Sequence, residues 1–153
     1  MLNSKIIKII SNIQGIGIFA KENIKKGEII ASFEGKIISK NEADLLYNGG
    51  FDYMLQISHA SFLLLEDDSK YINHSCNPNT GFLNKNGELL SIRDIKKGEE
   101  ITFDYSTNEN TDFLIEQCRC NSIYCRKTIE KYSKTKFNYK ACISPYLKID
   151  SKH

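Results

Sequence analysis

The chain has 153 residues, 41% of them hydrophobic and 26% charged, with a formal net charge of +2. That balance excludes a disordered chain, no apolar run is long enough to cross a bilayer, and the length suits one domain with at most a small appendage. The charge is unevenly spread: residues 126–153 carry eight Lys/Arg and two Asp/Glu, or +6, leaving 13 basic and 17 acidic side chains, or −4, in residues 1–125.

The elements read mostly as short strands. Met1 to Lys8 has neither a sustained apolar core nor a small-residue cleavage site, so no secretory signal is expected and the setting is intracellular, cytoplasmic or nuclear. Ile16 to Ala20 and Glu28 to Phe33 are apolar runs flanking a Lys25-Lys26-Gly27 turn. Ser39-Lys40-Asn41-Glu42 is a capping box that starts a helix, and Gly49-Gly50 stop it. Asp52 to Ile57 and Ser61 to Leu65 follow as strands. Asn86-Gly87 marks a hairpin between Gly81-Phe82-Leu83 and Leu89-Leu90-Ser91-Ile92. Glu99 to Tyr105 is a strand entered through a second Lys-Lys-Gly turn at Lys96 to Gly98. Helical turns are expected at Asp112 to Gln117 and Lys127 to Tyr132. Long crossover helices are missing, which disfavours a parallel α/β sheet.

An odd count of cysteines without a signal peptide argues against a disulfide scaffold. Cys118-x-Cys120-x4-Cys125 instead has the look of a metal cluster. It offers three ligands where zinc takes four, so a fourth must come from elsewhere. Gly15-Ile16-Gly17 lacks the third glycine and following helix of a dinucleotide loop, but its bare backbone suits close approach to a ligand. Tyr71-Ile72-Asn73-His74-Ser75-Cys76-Asn77-Pro78-Asn79 is the densest polar run. Adjacent residues point different ways, which argues against a Cys–His nucleophilic pair there.

Taken in order, the Gly15-x-Gly17 turn, the Asn73-His74-Ser75-Cys76-x-Pro78-Asn79 box and the Gly98-Glu99-Glu100-Ile101-Thr102-Phe103-Asp104-Tyr105 strand resemble the three signature segments of SET-domain lysine methyltransferases. Cys118-x-Cys120-x4-Cys125-Arg126 resembles that family's post-SET zinc motif. The resemblance runs from about Ile7 to about Lys131, in a chain of the size of minimal microbial and viral members.

The resemblance implies a mainly β fold of short curved sheets with a C-terminal pseudoknot, short helices and a zinc-bound post-SET segment. It divides the chain into a SET domain at 1–110, a post-SET segment at 111–131 and a basic tail at 132–153. It implies S-adenosylmethionine as methyl donor, held by Gly15, Ile16, Gly17, Tyr53, Asn73, His74 and Tyr105. Tyr105 and Tyr53 become the catalytic tyrosines, and Tyr53, Phe103 and Tyr105 line the lysine channel. Cys76 becomes the fourth zinc ligand beside Cys118, Cys120 and Cys125, one structural ion per chain. Phe103 stands where the family carries Phe or Tyr, and Phe leaves room for more than one methyl group.

Departures are the missing upstream cysteine-rich region, Lys70-Tyr71 where Arg-Phe is common, and a short helical insert after Ser39. The implied partner is a lysine-containing protein, with histones the best-known case; no membrane is expected and nucleic acid is not required. Two other readings stay open: a catalytically silent SET fold that only binds, and a zinc-stabilised nucleic-acid-binding protein, motivated by the basic tail.

Overall fold

A computed structural model of the protein describes residues 1–82, 87–112, 117–137 and 140–150. The expected mainly β architecture is present, as three small sheets. The first has the order β1(Ile6–Ile10), β2(Ile16–Ala20), β10(Glu100–Phe103), β7(Asn73–His74). The second has β3(Ile29–Ala31), β9(Leu89–Ser91), β8(Thr80–Phe82), and the third β4(Gly35–Ser39), β6(Ser61–Leu65), β5(Met54–Gln56). Helices are few and short: α1(Lys40–Asn48) and α2(Pro145–Asp150), with 3-10 turns at Asp68–Tyr71, Tyr105–Thr107 and Tyr132–Lys134. Among the described residues no helix is long and apolar enough to cross a membrane.

Local chemistry explains most boundaries. Ser39 caps α1 by accepting from the Glu42 N–H, and the Glu42 side chain accepts from the Ser39 N–H, as the capping box requires. The two Lys-Lys-Gly turns are built alike. Glu28 Oε1 accepts from Lys25 N and Glu99 Oε1 from Lys96 N, and the turns meet where Ile24 and Ile95 exchange both backbone hydrogen bonds at 2.9 Å. Ile18, Ile24, Ile30, Phe82, Leu89 and Ile101 are buried there and form the centre of the main core.

The expected Asn86-Gly87 turn falls partly outside the described residues, but β8 and β9 pair antiparallel, with Thr80 opposite Ser91 and Phe82 opposite Leu89. Residues 113–116 of the expected helical turn at Asp112 to Gln117 also lie outside them. Lys127 to Tyr132 is not helical: Lys127 takes φ +70° and its carbonyl accepts from Cys118 N, so helical structure begins only at Tyr132. The C-terminal stretch is docked on the body. Leu147 is buried, Ser144 N donates to Thr107 O at 2.8 Å, and the Tyr146 hydroxyl donates to Asn108 O.

β10 is the strand that positions the site. On one edge it runs antiparallel to β2. On the other it runs parallel to the two-residue strand β7, pairing Thr102 with Asn73 and Phe103 with His74. Two residues cannot complete that ladder, and the side chain of Asn79 extends it. Its Oδ1 accepts from Thr102 N at 2.9 Å and its Nδ2 donates to Glu100 O at 2.8 Å. Asn79→Leu should therefore strand the buried Thr102 N–H and the part-buried Glu100 carbonyl and cost about 2–5 kcal/mol in urea unfolding. A cost under about 1 kcal/mol would show that β10 does not need this side chain.

Candidate functional site

The parallel pairing of β7 with β10 brings the Asn73-His74 box against Phe103 and Tyr105. Asn73 is buried, and its Nδ2 donates to Gln14 O (3.2 Å), Ile16 O (3.1 Å) and Glu100 Oε1 (2.8 Å). It thus fixes the Gly15–Ile16 turn to β10. Glu100 is held in turn by the Ser11 hydroxyl at 2.7 Å. Gly15 takes the left-handed φ of +50° that favours glycine, and lines the main cavity. Gly17 does not line it. A Cβ there would come within 2.4 Å of Glu100 Oε1, so this glycine makes room for Glu100.

The cavity has a volume of about 550 Å³, within the range of small-molecule sites. Gln14, Gly15, Ile16 and Asn73 form part of its wall, Phe33, Leu55, Leu65 and Phe103 are apolar contributors, and Tyr53 and Tyr105 also line it. Asp52, Glu109 and Glu130 add acidic side chains. Burial pushes the Glu109 carboxyl above its ordinary value. A smaller cavity of about 20 Å³ shares Gln14, Asn73, Tyr105 and Ile129 with it and reaches His74.

Tyr105 is fixed at both ends. Its N–H donates to His74 Nδ1 at 3.1 Å, and its hydroxyl donates to Ile72 O at 2.9 Å. Burial, then the nearby carboxylates of Asp52 and Glu100, hold the phenol well above its ordinary value, so it stays protonated. Phe103 packs on it with ring centroids 4.8 Å apart. Tyr53 sits just before β5 and is 41% exposed. Lys70 Nζ lies 5.8 Å over the Tyr53 ring and 5.4 Å over Tyr71, so one aromatic face of the cavity already carries a cation.

His74 is buried, and desolvation lowers it to about 4 despite Asp104, whose carboxylate lies 3.6 Å from Nδ1. The ring is therefore neutral near pH 7. Because Nδ1 accepts from Tyr105, the proton sits on Nε2, 3.3 Å from Cys76 Sγ. Thus His74 touches the tyrosine on one side and the cysteine cluster on the other; its contact with Cys76 corrects the expectation that neighbouring side chains of this box point apart, because residues two apart share a side.

The ligand atoms of Cys76, Cys118, Cys120 and Cys125 all lie within 4.8 Å of one another. Cys76 Sγ and Cys118 Sγ are 3.7 Å apart. Metal–sulfur bonds of about 2.3 Å in a tetrahedron put sulfurs about 3.8 Å apart, so the group could hold a metal ion. Backbone N–H groups of Arg126 and Lys127 approach Cys76 and Cys125 sulfurs at 3.4 Å, as suits thiolates. Burial pushes the Cys76 thiol up to about 11 and Cys118 up as well, whereas at Cys120 burial is outweighed by hydrogen bonds, which lower the thiol to about 7. Cys142 stands apart, against Gly81.

Arg126 follows the last of these cysteines. It clasps Asp104 through two bonds of 2.8 Å, Nη1 to Oδ2 and Nη2 to Oδ1, with Asp104 fully buried. The residue before Tyr105 is thereby bound to the residue after Cys125. The sequence quotes both residues inside its motifs but gives no sign that they pair. Phe33, Asp52, Glu109 and Glu130 lie outside every motif, and only the fold reveals their place on the cavity.

Residues 15–106 match the family model described as SET domain. The chain is 31% identical over 153 aligned residues to histone-lysine N-methyltransferase Su(var)3-9 of Drosophila pseudoobscura pseudoobscura, covering 78% of this chain and 24% of that protein. It is 33% identical over 131 residues to histone-lysine N-methyltransferase ASHH3 of Arabidopsis thaliana, covering 75% and 35%. It is 34% identical over 116 residues to histone-lysine N-methyltransferase set9 of Schizosaccharomyces pombe, covering 72% and 25%. The chain thus spans only a minor part of the length of these curated relatives.

Removing one partner of a buried ion pair strands the other charge. Arg126→Leu is expected to lower unfolding stability by about 3–5 kcal/mol near pH 7. A loss under about 1 kcal/mol in urea titration would remove the clasp from the account.

Proposed function

The chain belongs to the SET-domain family, and on that premise we propose that it is a protein-lysine N-methyltransferase. The observation that carries this reading is Tyr105: a buried, protonated hydroxyl fixed by Ile72 O on the wall of a largely apolar cavity shared with the Gly15–Ile16 turn. S-adenosylmethionine, when bound, supplies a methyl group on a sulfonium. The chain offers it the backbone of Gly15 and Ile16 together with Asn73, His74, Tyr53 and Tyr105. The Lys70 ammonium on the same wall suits the carboxylate of its amino-acid end.

The remaining chemistry belongs to the chain. Displacement at a methyl carbon requires alignment of amine, carbon and sulfur, and no covalent enzyme intermediate. Free lysine has a pKa of roughly 10.4, and an apolar channel lowers it toward the neutral, nucleophilic amine. Tyr105 cannot serve as a base while its phenol is held protonated. Its proton is given to Ile72 O, which leaves the oxygen lone pairs to accept from the amine and orient it. Phe103, Tyr53 and Tyr105 form aromatic walls suited to a methylated amine. Phe103 adds no hydroxyl beside Tyr105, so the channel accommodates products beyond monomethyl-lysine.

Cys76, Cys118, Cys120 and Cys125 would hold one structural zinc ion. It would cross-link the segment at 118–125 to the Asn-His-Ser-Cys box. Asp52 and Glu109 of the −4 body, joined on the cavity by Glu130, suit a basic protein substrate, and histones are the leading candidates. Such a substrate goes with a nuclear or cytoplasmic place of action.

The test is transfer of labelled methyl groups from S-adenosylmethionine to core histones or a lysate, with products read by mass spectrometry. Wild type is expected to label lysine and to form di- or trimethyl product. Tyr105→Phe should transfer at least about 10-fold more slowly, or about 1.4 kcal/mol in barrier, and Phe103→Tyr should shift product toward monomethyl-lysine. No labelling together with no cofactor binding would overturn the enzyme reading. Equal rates for wild type and Tyr105→Phe would remove the role given to Tyr105, and a wild type that stops at monomethyl product would remove that of Phe103.

A further inference from the structure

The mouth of the cavity carries an anion that no motif contains. Asp52 lines the main cavity and is exposed to solvent, whereas Tyr105, on the same cavity, is part-buried. Asp52 thus stands where the cavity opens to water. Its backbone is held at the start of β5, where Asp52 O accepts from Met54 N at 2.8 Å. The next ring, Tyr53, packs edge-on against Phe51 at 5.6 Å and Tyr71 at 6.0 Å. After burial, the carboxylates that keep the Tyr105 phenol protonated are those of Asp52 and Glu100, in that order. The two are not equivalent. Glu100 is engaged, accepting from the Ser11 hydroxyl at 2.7 Å and from Asn73 Nδ2 at 2.8 Å. The Asp52 carboxylate has no hydrogen-bond or ion-pair partner among the described residues. It is a solvent-facing charge whose field reaches the Tyr105 oxygen.

We propose that Asp52 positions the substrate lysine: its carboxylate draws the ε-ammonium into the cavity and holds it beside the Tyr105 hydroxyl oxygen. The inference rests on the methyltransferase reading of the cavity. An amine that reaches the Tyr105 oxygen enters the field that Asp52 sets up there. The cation on this cavity has the opposite effect. Lys70 Nζ lies 5.8 Å over the Tyr53 ring and repels a second ammonium. The two charges therefore sort two ligands, the carboxylate of the methyl donor to Lys70 and the ammonium of the peptide to Asp52. The attraction has a counter-effect on the chemistry. The ammonium must release its proton to water before the nitrogen lone pair can attack the methyl carbon, and a nearby anion raises the pKa of that ammonium. Asp52 thus strengthens peptide binding and holds back deprotonation of the bound lysine.

The experiment uses the full chain and the best substrate found in an array of lysine-centred peptides, with kcat and KM followed against pH and salt. Asp52→Asn removes the charge and keeps the shape. Its peptide KM is expected to rise about threefold at low ionic strength, and the difference should shrink as salt is added. The pH at which kcat reaches half its maximum should fall by about half a unit, because the bound ammonium gives up its proton more readily. Glu109, Glu130, Lys70 and the phenols of Tyr47, Tyr53 and Tyr71 also line the cavity, and Glu100 lies beside Asn73. These groups are common to wild type and variant, so the difference between the two profiles isolates Asp52. The urea midpoint should hold, and the Kd for S-adenosylhomocysteine, which lacks the sulfonium charge, should stay within about twofold. A purely structural role would instead lower the midpoint and weaken that ligand, which overturns the proposal. So does an unchanged peptide KM, or a pH profile that does not move. If Asp52→Asn does not fold, Asp52→Ser is read by the same measurements and criteria. Should wild type methylate no peptide or protein, the methyltransferase reading fails and this inference falls with it. A wild type that transfers, beside a variant with unchanged peptide KM, overturns only the role of Asp52.

Discussion

Two pairs of residues in parallel register, Asn73 with Thr102 and Phe103 with His74, are the constraint on which the site depends. They join segments about thirty residues apart and bring Tyr105 and Cys76 to opposite sides of one imidazole. Such a short ladder is weak by itself. Three side-chain devices secure it: Asn79 extends the ladder along β10, Glu100 anchors Asn73, and Asp104 clasps Arg126. The neutral His74 ring then joins the cavity to the cysteine cluster, accepting from Tyr105 N and facing Cys76 Sγ with its Nε2. The tyrosine proposed as catalytic and the proposed metal site are two faces of one local structure.

Much of the fold was legible because its signals are local. The capping box at Ser39, the Gly49-Gly50 stop, the apolar runs of β2 and β6 and both Lys-Lys-Gly turns each express a preference within a few residues. β1 and β4 were not read as strands, and burial explains why. In β1 only Ile6 is even partly buried, and in β4 only Ile38 is buried, so neither carries a strong alternation. The expectation of a helical turn at Lys127 failed because the chain there is shaped by the cysteine segment, not by helix propensity.

The site was legible where chemistry is concentrated in short words and illegible where it depends on distant partners. Four segments in fixed order pointed to Tyr105, Asn73, His74 and the cysteines, and the fold brings them together. The motifs carried no hint that Gly17 yields space to Glu100, or that Asn79 completes a ladder. Nor did they show that Asn108 lies on the cavity wall. Each of these depends on a side chain meeting backbone or cavity across a fold that periodicity does not encode.

The uneven charge also gains a structural meaning. Arg126 and Lys131, counted in the basic stretch, bind Asp104 and Asp112 of the body, and Leu147 packs α2 into it. Part of the +6 therefore fastens the C-terminal stretch where Glu130, Asn108 and Glu109 meet the cavity. The central claim is that the cysteine cluster, through His74 and Arg126, holds Tyr105 in its working position. Its most direct test is hydrogen exchange at the Tyr105 amide, followed with methyl transfer before and after zinc is removed by a chelator. The account expects one zinc per chain, loss of amide protection and of transfer together on its removal, and recovery of both when zinc is restored. A metal-free protein that keeps the Tyr105 amide protected and transfers at an undiminished rate would contradict it.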